Sequence, residues 1–114
     1  MIGNLTNREE TAVNTFLLHL QQLGGVVQQT TLFGSKARGD SNPHLDIDIL
    51  VLVDEENWTL RDKIGLLASR VSLNYDVLLG TQVIGEQRWQ QMQLDNFSLC
   101  KNISKDGVEL ALSS

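Results

Sequence analysis

The chain has 114 residues, of which 41% are hydrophobic and 20% charged, a composition typical of a globular domain. Its net charge of −5 argues against a protein whose main task is to bind nucleic acid, because such a protein needs a basic face. The single cysteine, Cys100, excludes an internal disulfide and a cysteine-based zinc cluster. The sequence has neither a bilayer-spanning apolar run nor a signal-peptide core near residue 1. We therefore expect one cytoplasmic domain over residues 1–114, with no membrane partner.

Helices and short strands follow one another along the chain. An amphipathic helix is predicted over residues 6–23, begun by a capping box of Thr6 and Glu9 and ended by Gly24 and Gly25. The later elements are predicted as strands at 26–33, 45–53, 75–79 and 108–112 and helices at 54–72, 83–94 and 97–104. Together they predict an α+β fold, a small sheet with helices packed against it.

Two carboxylates open the most apolar run of the sequence. Asp46 and Asp48 are two residues apart in a predicted strand, so both point to the same face, with Cα atoms roughly 6.6 Å apart. Carboxylates are depleted from strands, and two of them at the start of a buried strand are unfavourable unless a cation lies between them. Magnesium prefers oxygen ligands and one or two carboxylates, so this pair predicts a magnesium site.

A glycine-rich turn before this strand predicts a phosphate-binding site. Gly34 allows the backbone to approach a ligand closely, and the Ser35 hydroxyl and nearby backbone amides can donate hydrogen bonds to phosphate oxygens. Lys36 and Arg38 add positive charge in an otherwise acidic chain. With a metal at Asp46 and Asp48, this turn would hold a nucleoside triphosphate.

A third carboxylate is expected if the site holds two metal ions, since such sites need a ligand toward the attacking hydroxyl. Asp76 is the best candidate, because it opens the predicted strand at 75–79 and a neighbouring strand would bring it to the pair. In this role Asp76 would also help to deprotonate the incoming nucleophile. Asp54 and Glu55 are weaker candidates because they lie about 20 Å along the strand from Asp48.

The segment from Gly34 to Asp48 reads G-S-x10-D-x-D, which is the signature of the DNA polymerase β-like nucleotidyltransferases. The fuller string GSKARGDSNPHLDIDILVLV resembles the minimal nucleotidyltransferases, the MNT antitoxins of HEPN-domain toxins. This resemblance implies a palm-like fold with a small mixed sheet. It also implies residue roles: Gly34 and Ser35 bind the triphosphate, and Asp46, Asp48 and Asp76 hold magnesium. Leu45 departs from the serine that the family often has at that position.

The resemblance further implies a magnesium-dependent adenylyltransferase that transfers AMP from ATP to a tyrosine of a HEPN ribonuclease toxin and so inactivates it. Two alternatives remain open from the sequence. One is a non-catalytic antitoxin that covers its toxin, and the other is a nucleotidyltransferase acting on a small molecule. Trp89 fits either the core or a partner interface, and His44 fits either a turn cap or a neighbour of the nucleotide.

Overall fold

The computed structural model describes residues 5–39 and 46–110. Its helices are α1 (Asn7–Gln21), α2 (Trp58–Tyr75), α3 (Glu86–Leu94) and α4 (Ser98–Asp106), and its strands are β1 (Val27–Phe33), β2 (Ile47–Val53), β3 (Leu79–Gly85) and β4 (Val108–Leu110). None of the helices in these two ranges is both long and apolar enough to cross a bilayer.

The four strands form one mixed sheet in the order β3-β2-β1-β4. The inner strands β1 and β2 are antiparallel, β4 pairs antiparallel with β1, and β3 runs parallel to β2. The parallel pair is joined by α2, as a crossover connection requires. The predicted α+β fold, a small mixed sheet flanked by helices, is confirmed.

The strand β2 is buried on both faces because helices cover both sides of the sheet. Ile47, Ile49, Val51 and Val53 point toward α1 and α2 and join the larger apolar cluster. The alternate residues belong to a second cluster with α3 and α4, formed by Leu50, Leu52, Ile84, Met92 and Cys100. Trp89 packs against this second cluster. Cys100 is a small buried core residue of α4, as expected.

The capping box at the start of α1 is present as predicted. The Thr6 hydroxyl accepts a hydrogen bond from the Glu9 amide at 3.1 Å, and the Glu9 carboxylate accepts one from the Thr6 amide at 2.9 Å. Beyond the helix, Gly24 and Gly25 have φ angles of 81° and 83°, a conformation that glycine adopts without strain. The start of α1 was thus predicted correctly, whereas the helix ends at Gln21 with Gln22 as its C-cap, two residues earlier than the glycines predicted.

The third strand was predicted in the wrong place. The helix α2 continues to Tyr75, and β3 occupies Leu79–Gly85, a range that includes the first residues of the helix predicted at 83–94. The last turn of α2 is held by a contact of 3.1 Å between the Tyr75 and Thr15 hydroxyls. The Ser72 hydroxyl then accepts a hydrogen bond from the Leu79 amide, which joins the helix end to the strand start.

Candidate functional site

The predicted carboxylate pair lies at the start of the central strand. Asp48 is the second residue of β2, and it is paired with Phe33 of β1 on one side and Gly80 of β3 on the other. Asp46 precedes the strand and is exposed, whereas Asp48 is half-buried. Because side chains alternate along a strand, Asp48 shares the sheet face of Leu50. Asp48 therefore lies on the central strand between two neighbouring strands, and its half-buried carboxylate points to one face of the sheet.

Gly34 leaves the space that the Asp48 carboxylate occupies, and Gly80 lies on the other side of this carboxylate. A Cβ atom at Gly34 would meet Asp48 Oδ2 at a separation that real Cβ atoms essentially never show. A Cβ atom at Gly80 would lie 3.4 Å from Asp48 Oδ1, which is an ordinary van der Waals contact. Gly34 also has a φ angle of 75°, in the left-handed region that glycine favours. Glycine at position 34 is thus required both by the backbone conformation and by the carboxylate beside it.

The electrostatic surroundings of Asp48 favour an added cation. Burial raises the pKa of the Asp48 carboxyl above its ordinary value, and the negative charge of Asp46 raises it further. The Arg38 guanidinium lowers this pKa but does not outweigh the other two effects. A carboxylate whose ionised form is disfavoured by burial and by a like charge is stabilised when a cation binds to it.

The turn between β1 and β2 runs from Gly34 to Gly39 in the described part of the chain. The Arg38 amide donates to the Gly34 carbonyl at 3.1 Å, and the Gly39 amide donates to the Lys36 carbonyl at 3.4 Å. The Arg38 guanidinium also donates to the Ser35 hydroxyl at 3.4 Å. These bonds hold the segment in a compact turn. The turn reaches Asp48 through Gly34, which lies against its carboxylate, and through the charge of Arg38.

Lys36 does not lie where the sequence analysis expected it. Its side chain is fully buried, and its Nζ atom lies 2.9 Å from Oε2 of Glu9 in the first turn of α1. We expected Lys36 to add its charge beside a bound phosphate, and this geometry corrects that expectation. The backbone conformation of the turn directs the side chain inward, where a carboxylate compensates its charge.

Asp76 lies outside the strand that was predicted to carry it. It caps the C-terminus of α2 in the left-handed conformation, with φ at 54°. Its side chain is 96% exposed, and its carboxylate lies 3.6 Å from the Arg8 guanidinium. In the residues that the structure describes, no three carboxylate, histidine or cysteine side chains come together closely enough to hold a metal. The charge of Asp46 acts on the Asp48 carboxyl, whereas Asp76 does not join these two residues in a group that could hold a metal.

Two residues of this region were missed by the sequence analysis as parts of the site. Glu9 was identified only as a capping residue, although its second oxygen contacts Lys36. Gly80 was identified only as the end of a strand, but a glycine inside an apolar strand is itself a signal of close approach. His44 and Leu45 lie outside the described residues.

The residues present fit a magnesium ion. Asp46 and Asp48 supply two carboxylates, the ligand type and number that magnesium takes before water and phosphate complete its coordination. The glycine at position 34 leaves room for the Asp48 carboxylate beside the turn. The turn at Ser35 adds a hydroxyl donor that suits a phosphate oxygen. Such a combination is typical of sites that position a triphosphate for phosphoryl or nucleotidyl transfer.

The nucleotidyltransferase domain family matches residues 13–108. The chain therefore belongs to this family, and the predicted enzyme class is confirmed. Two relatives in Methanocaldococcus jannaschii are provisionally named protein adenylyltransferases. MJ0141 is 47% identical over 55 residues, 46% of this chain and 54% of that protein, so the chain spans about half its length. MJ0604 is 31% identical over 100 residues, 87% of this chain and 94% of that protein.

Solved structures of toxin-antitoxin complexes share the fold. One contains the tri-AMPylated HEPN toxin of Shewanella oneidensis in complex with its MNT antitoxin. The similarity to this structure has a TM-score of 0.55 at 21% sequence identity, and it covers 91% of this chain and 72% of that chain. The predicted minimal nucleotidyltransferase fold is thus confirmed.

Proposed function

We propose that this chain is an antitoxin that transfers AMP from ATP, with magnesium, to a tyrosine of a HEPN-domain toxin and so inactivates it. The observation that carries the proposal is the Asp46–Asp48 pair at the start of β2, with the Asp48 carboxylate lying against Gly34. It occurs in a chain of the nucleotidyltransferase family whose relatives include provisionally named protein adenylyltransferases. The AMPylated toxin of the Shewanella oneidensis complex supports the choice of acceptor.

In this proposal the turn binds the triphosphate. The Gly34 backbone and the Ser35 hydroxyl donate to phosphate oxygens, and Arg38 adds positive charge at the exposed side of the turn. Asp46, Asp48 and Asp76 would hold magnesium, which we expect as two ions that neutralise the charge of the triphosphate when bound. In the structure Asp76 ends α2 and contacts Arg8, so its share in holding magnesium is proposed from the resemblance and not from this geometry.

The transfer step forms a bond between the acceptor oxygen and the α-phosphorus of ATP. The bond between the α-phosphorus and the bridging oxygen to the β-phosphate breaks, and pyrophosphate leaves. The proton of the acceptor hydroxyl goes to a carboxylate, for which we propose Asp76. Asp46 and Asp48 keep the reacting groups aligned, and positioning of this kind supplies much of the rate of phosphoryl-type transfer. We place this reaction in the cytoplasm, with no nucleic acid or membrane as partner.

The test uses ATP labelled in the α-phosphate, magnesium and the protein encoded by the neighbouring reading frame, which the proposal predicts to contain a HEPN domain. The wild-type chain is expected to label this partner, whereas Asp46→Ala and Asp48→Ala are expected to leave it unlabelled. Equal labelling by either variant would refute the proposed site. An unlabelled partner that is nevertheless neutralised in cells by both variants would favour a steric antitoxin instead. Label on a small compound and none on protein would favour a small-molecule nucleotidyltransferase.

A further inference from the structure

A buried ion pair lies directly beneath the proposed phosphate-binding turn. The Lys36 side chain is 0% exposed and the Glu9 side chain 8%, and their charged atoms are 2.9 Å apart. Lys36 immediately follows Ser35, so the pair is one residue from the proposed phosphate donor. A charge buried this deeply is stable only while its partner stays in place, which restricts where the turn can lie.

Glu9 is held rigidly on its own side of the pair. Its Oε1 atom accepts a hydrogen bond from the Thr6 amide at 2.9 Å, while its Oε2 atom contacts Lys36. The Glu9 amide in turn donates to the Thr6 hydroxyl at 3.1 Å. One carboxylate therefore closes the capping box of α1 and also binds the turn, so neither contact can shift without the other.

The helix that carries Glu9 is fixed in the core. Ala12, Val13 and Phe16 are each 0% exposed and belong to the larger apolar cluster under the sheet. Such closely packed side chains leave a helix little freedom to move. The Glu9–Lys36 ion pair therefore links the position of α1 to that of the turn.

We propose that Glu9 and Lys36 are positioning residues, whose ion pair holds the Gly34–Gly39 turn in the conformation that binds the triphosphate. Lys36 acts through the backbone of the turn, at its Ser35 neighbour, and makes no direct phosphate contact. The inference rests on the proposed nucleotide site and adds to it a residue of α1. It also explains why a lysine next to a phosphate-binding serine is turned into the core.

The experiment replaces the pair with neutral side chains of similar size, in the double variant Glu9→Gln/Lys36→Met. Such replacements of buried pairs are often tolerated by the fold, so thermal unfolding should stay cooperative. Hydrogen exchange at the Arg38 and Gly39 amides is expected to accelerate about tenfold or more, while exchange in α2 is unchanged. The matched control is Glu10→Gln, the same chemical change one residue further along the same helix turn.

Nucleotide binding provides the second measurement, with AMP-PNP and magnesium as the probe. The double variant is expected to bind AMP-PNP about tenfold more weakly than the wild type, because ordering the turn then opposes binding. The KM for ATP should rise by a similar factor with kcat within about threefold, since Asp46 and Asp48 are untouched. If the double variant does not fold, Glu9→Asp is measured under the same conditions, because it keeps both charges and only shortens the reach of the carboxylate to Lys36.

Each outcome decides the inference. A folded variant with wild-type exchange at Arg38 and Gly39 and wild-type affinity for AMP-PNP would overturn it, because the pair would then serve stability alone. A wild-type chain that binds AMP-PNP but transfers no AMP would refute the proposed function, while the comparison of exchange and affinity would still test the positioning role. A wild-type chain that does not bind AMP-PNP would refute both.

Discussion

Two carboxylates on either side of the Gly34–Gly39 turn differ in what compensates their charge. The Glu9 carboxylate forms an ion pair with the buried Lys36 and accepts a hydrogen bond from the Thr6 amide. Burial raises the pKa of the Asp48 carboxyl, and the neighbouring carboxylate of Asp46 raises it further. A carboxylate with a cation from the same chain stabilises the fold. A carboxylate that lies beside a like charge instead favours the binding of an external cation.

The largest expected effect is on catalysis, at Asp48. Asp48→Asn should lower the rate of AMP transfer roughly 10³-fold, since a metal contributes several kcal/mol of charge stabilisation. The same variant should unfold at a temperature equal to or above that of the wild type, because it removes a carboxylate whose ionised form is disfavoured. Differential scanning calorimetry without divalent cations checks the second half. A clear fall in Tm would mean that Asp48 serves the fold, as Glu9 does.

Gly34→Ala tests the space beside Asp48. The added Cβ should displace the Asp48 carboxylate and reduce AMP transfer about 10²-fold, a loss that small misplacements of catalytic groups commonly cause. Gly25→Ala is the matched control, since it introduces the same left-handed alanine where no atom lies within 4 Å of the new Cβ. Both variants should lose roughly 1 kcal/mol of stability from backbone strain. Equal activities of the two would show that the contact with Asp48 is unimportant.

Glu9→Gln tests the paired carboxylate. Burial by itself raises the pKa of Glu9, but the hydrogen bond from the Thr6 amide and the interactions with Lys36 outweigh it and hold the pKa below its ordinary value of 4.5. Near pH 7 the variant should be less stable by about 2–3 kcal/mol, because Lys36 loses its buried carboxylate.

The pH dependence of that difference follows from the lowered pKa. A carboxyl group whose pKa is depressed in the folded state contributes its stability above the ordinary value of 4.5 and loses it as the pH falls through the folded-state pKa. The Tm values of wild type and Glu9→Gln should therefore converge as the pH is lowered below 4.5. A Tm difference that stays constant from neutral to acidic pH would contradict an ionised Glu9.

The smallest effect is expected at Arg8. Its guanidinium lies 3.6 Å from the Asp76 carboxylate, but the two side chains are 63% and 96% exposed. Exposed pairs of this kind contribute from 0 to about 1 kcal/mol, so Arg8→Gln should shift Tm by no more than a few degrees. A shift as large as that of Glu9→Gln, measured by the same calorimetry, would remove the contrast between buried and exposed pairs.

The sequence predicted those parts of the site that depend on local pattern. Spacing located Gly34, Ser35, Asp46 and Asp48, because alternation along one strand and one turn determines their placement. Asp76 was placed on a strand because Tyr75 to Leu79 is rich in β-forming residues. The structure continues α2 through Tyr75 instead, supported by the hydroxyl contact with Thr15. Local propensity could not reveal that tertiary contact.

Lys36 was misplaced for a related reason. A polar turn in an acidic chain suggested an exposed lysine, and the direction of its side chain depends on the backbone conformation of the turn. Its partner Glu9 lies on α1, far away in the sequence, and had already been explained by its capping role. Gly80 became informative only once the register placed it beside Asp48. Contacts between distant segments were thus the part that local pattern could not supply.

The most direct test of the central claim compares the two carboxylates in one assay, by intact mass spectrometry of the HEPN-domain partner after incubation with ATP and magnesium. We predict that the wild-type chain adds AMP to the partner in discrete mass steps and that Asp48→Asn adds none. Glu9→Gln should still add AMP once the ATP concentration is raised. Equal AMP addition by the wild type and Asp48→Asn would contradict the account, as would a partner that gains no mass with the wild-type chain.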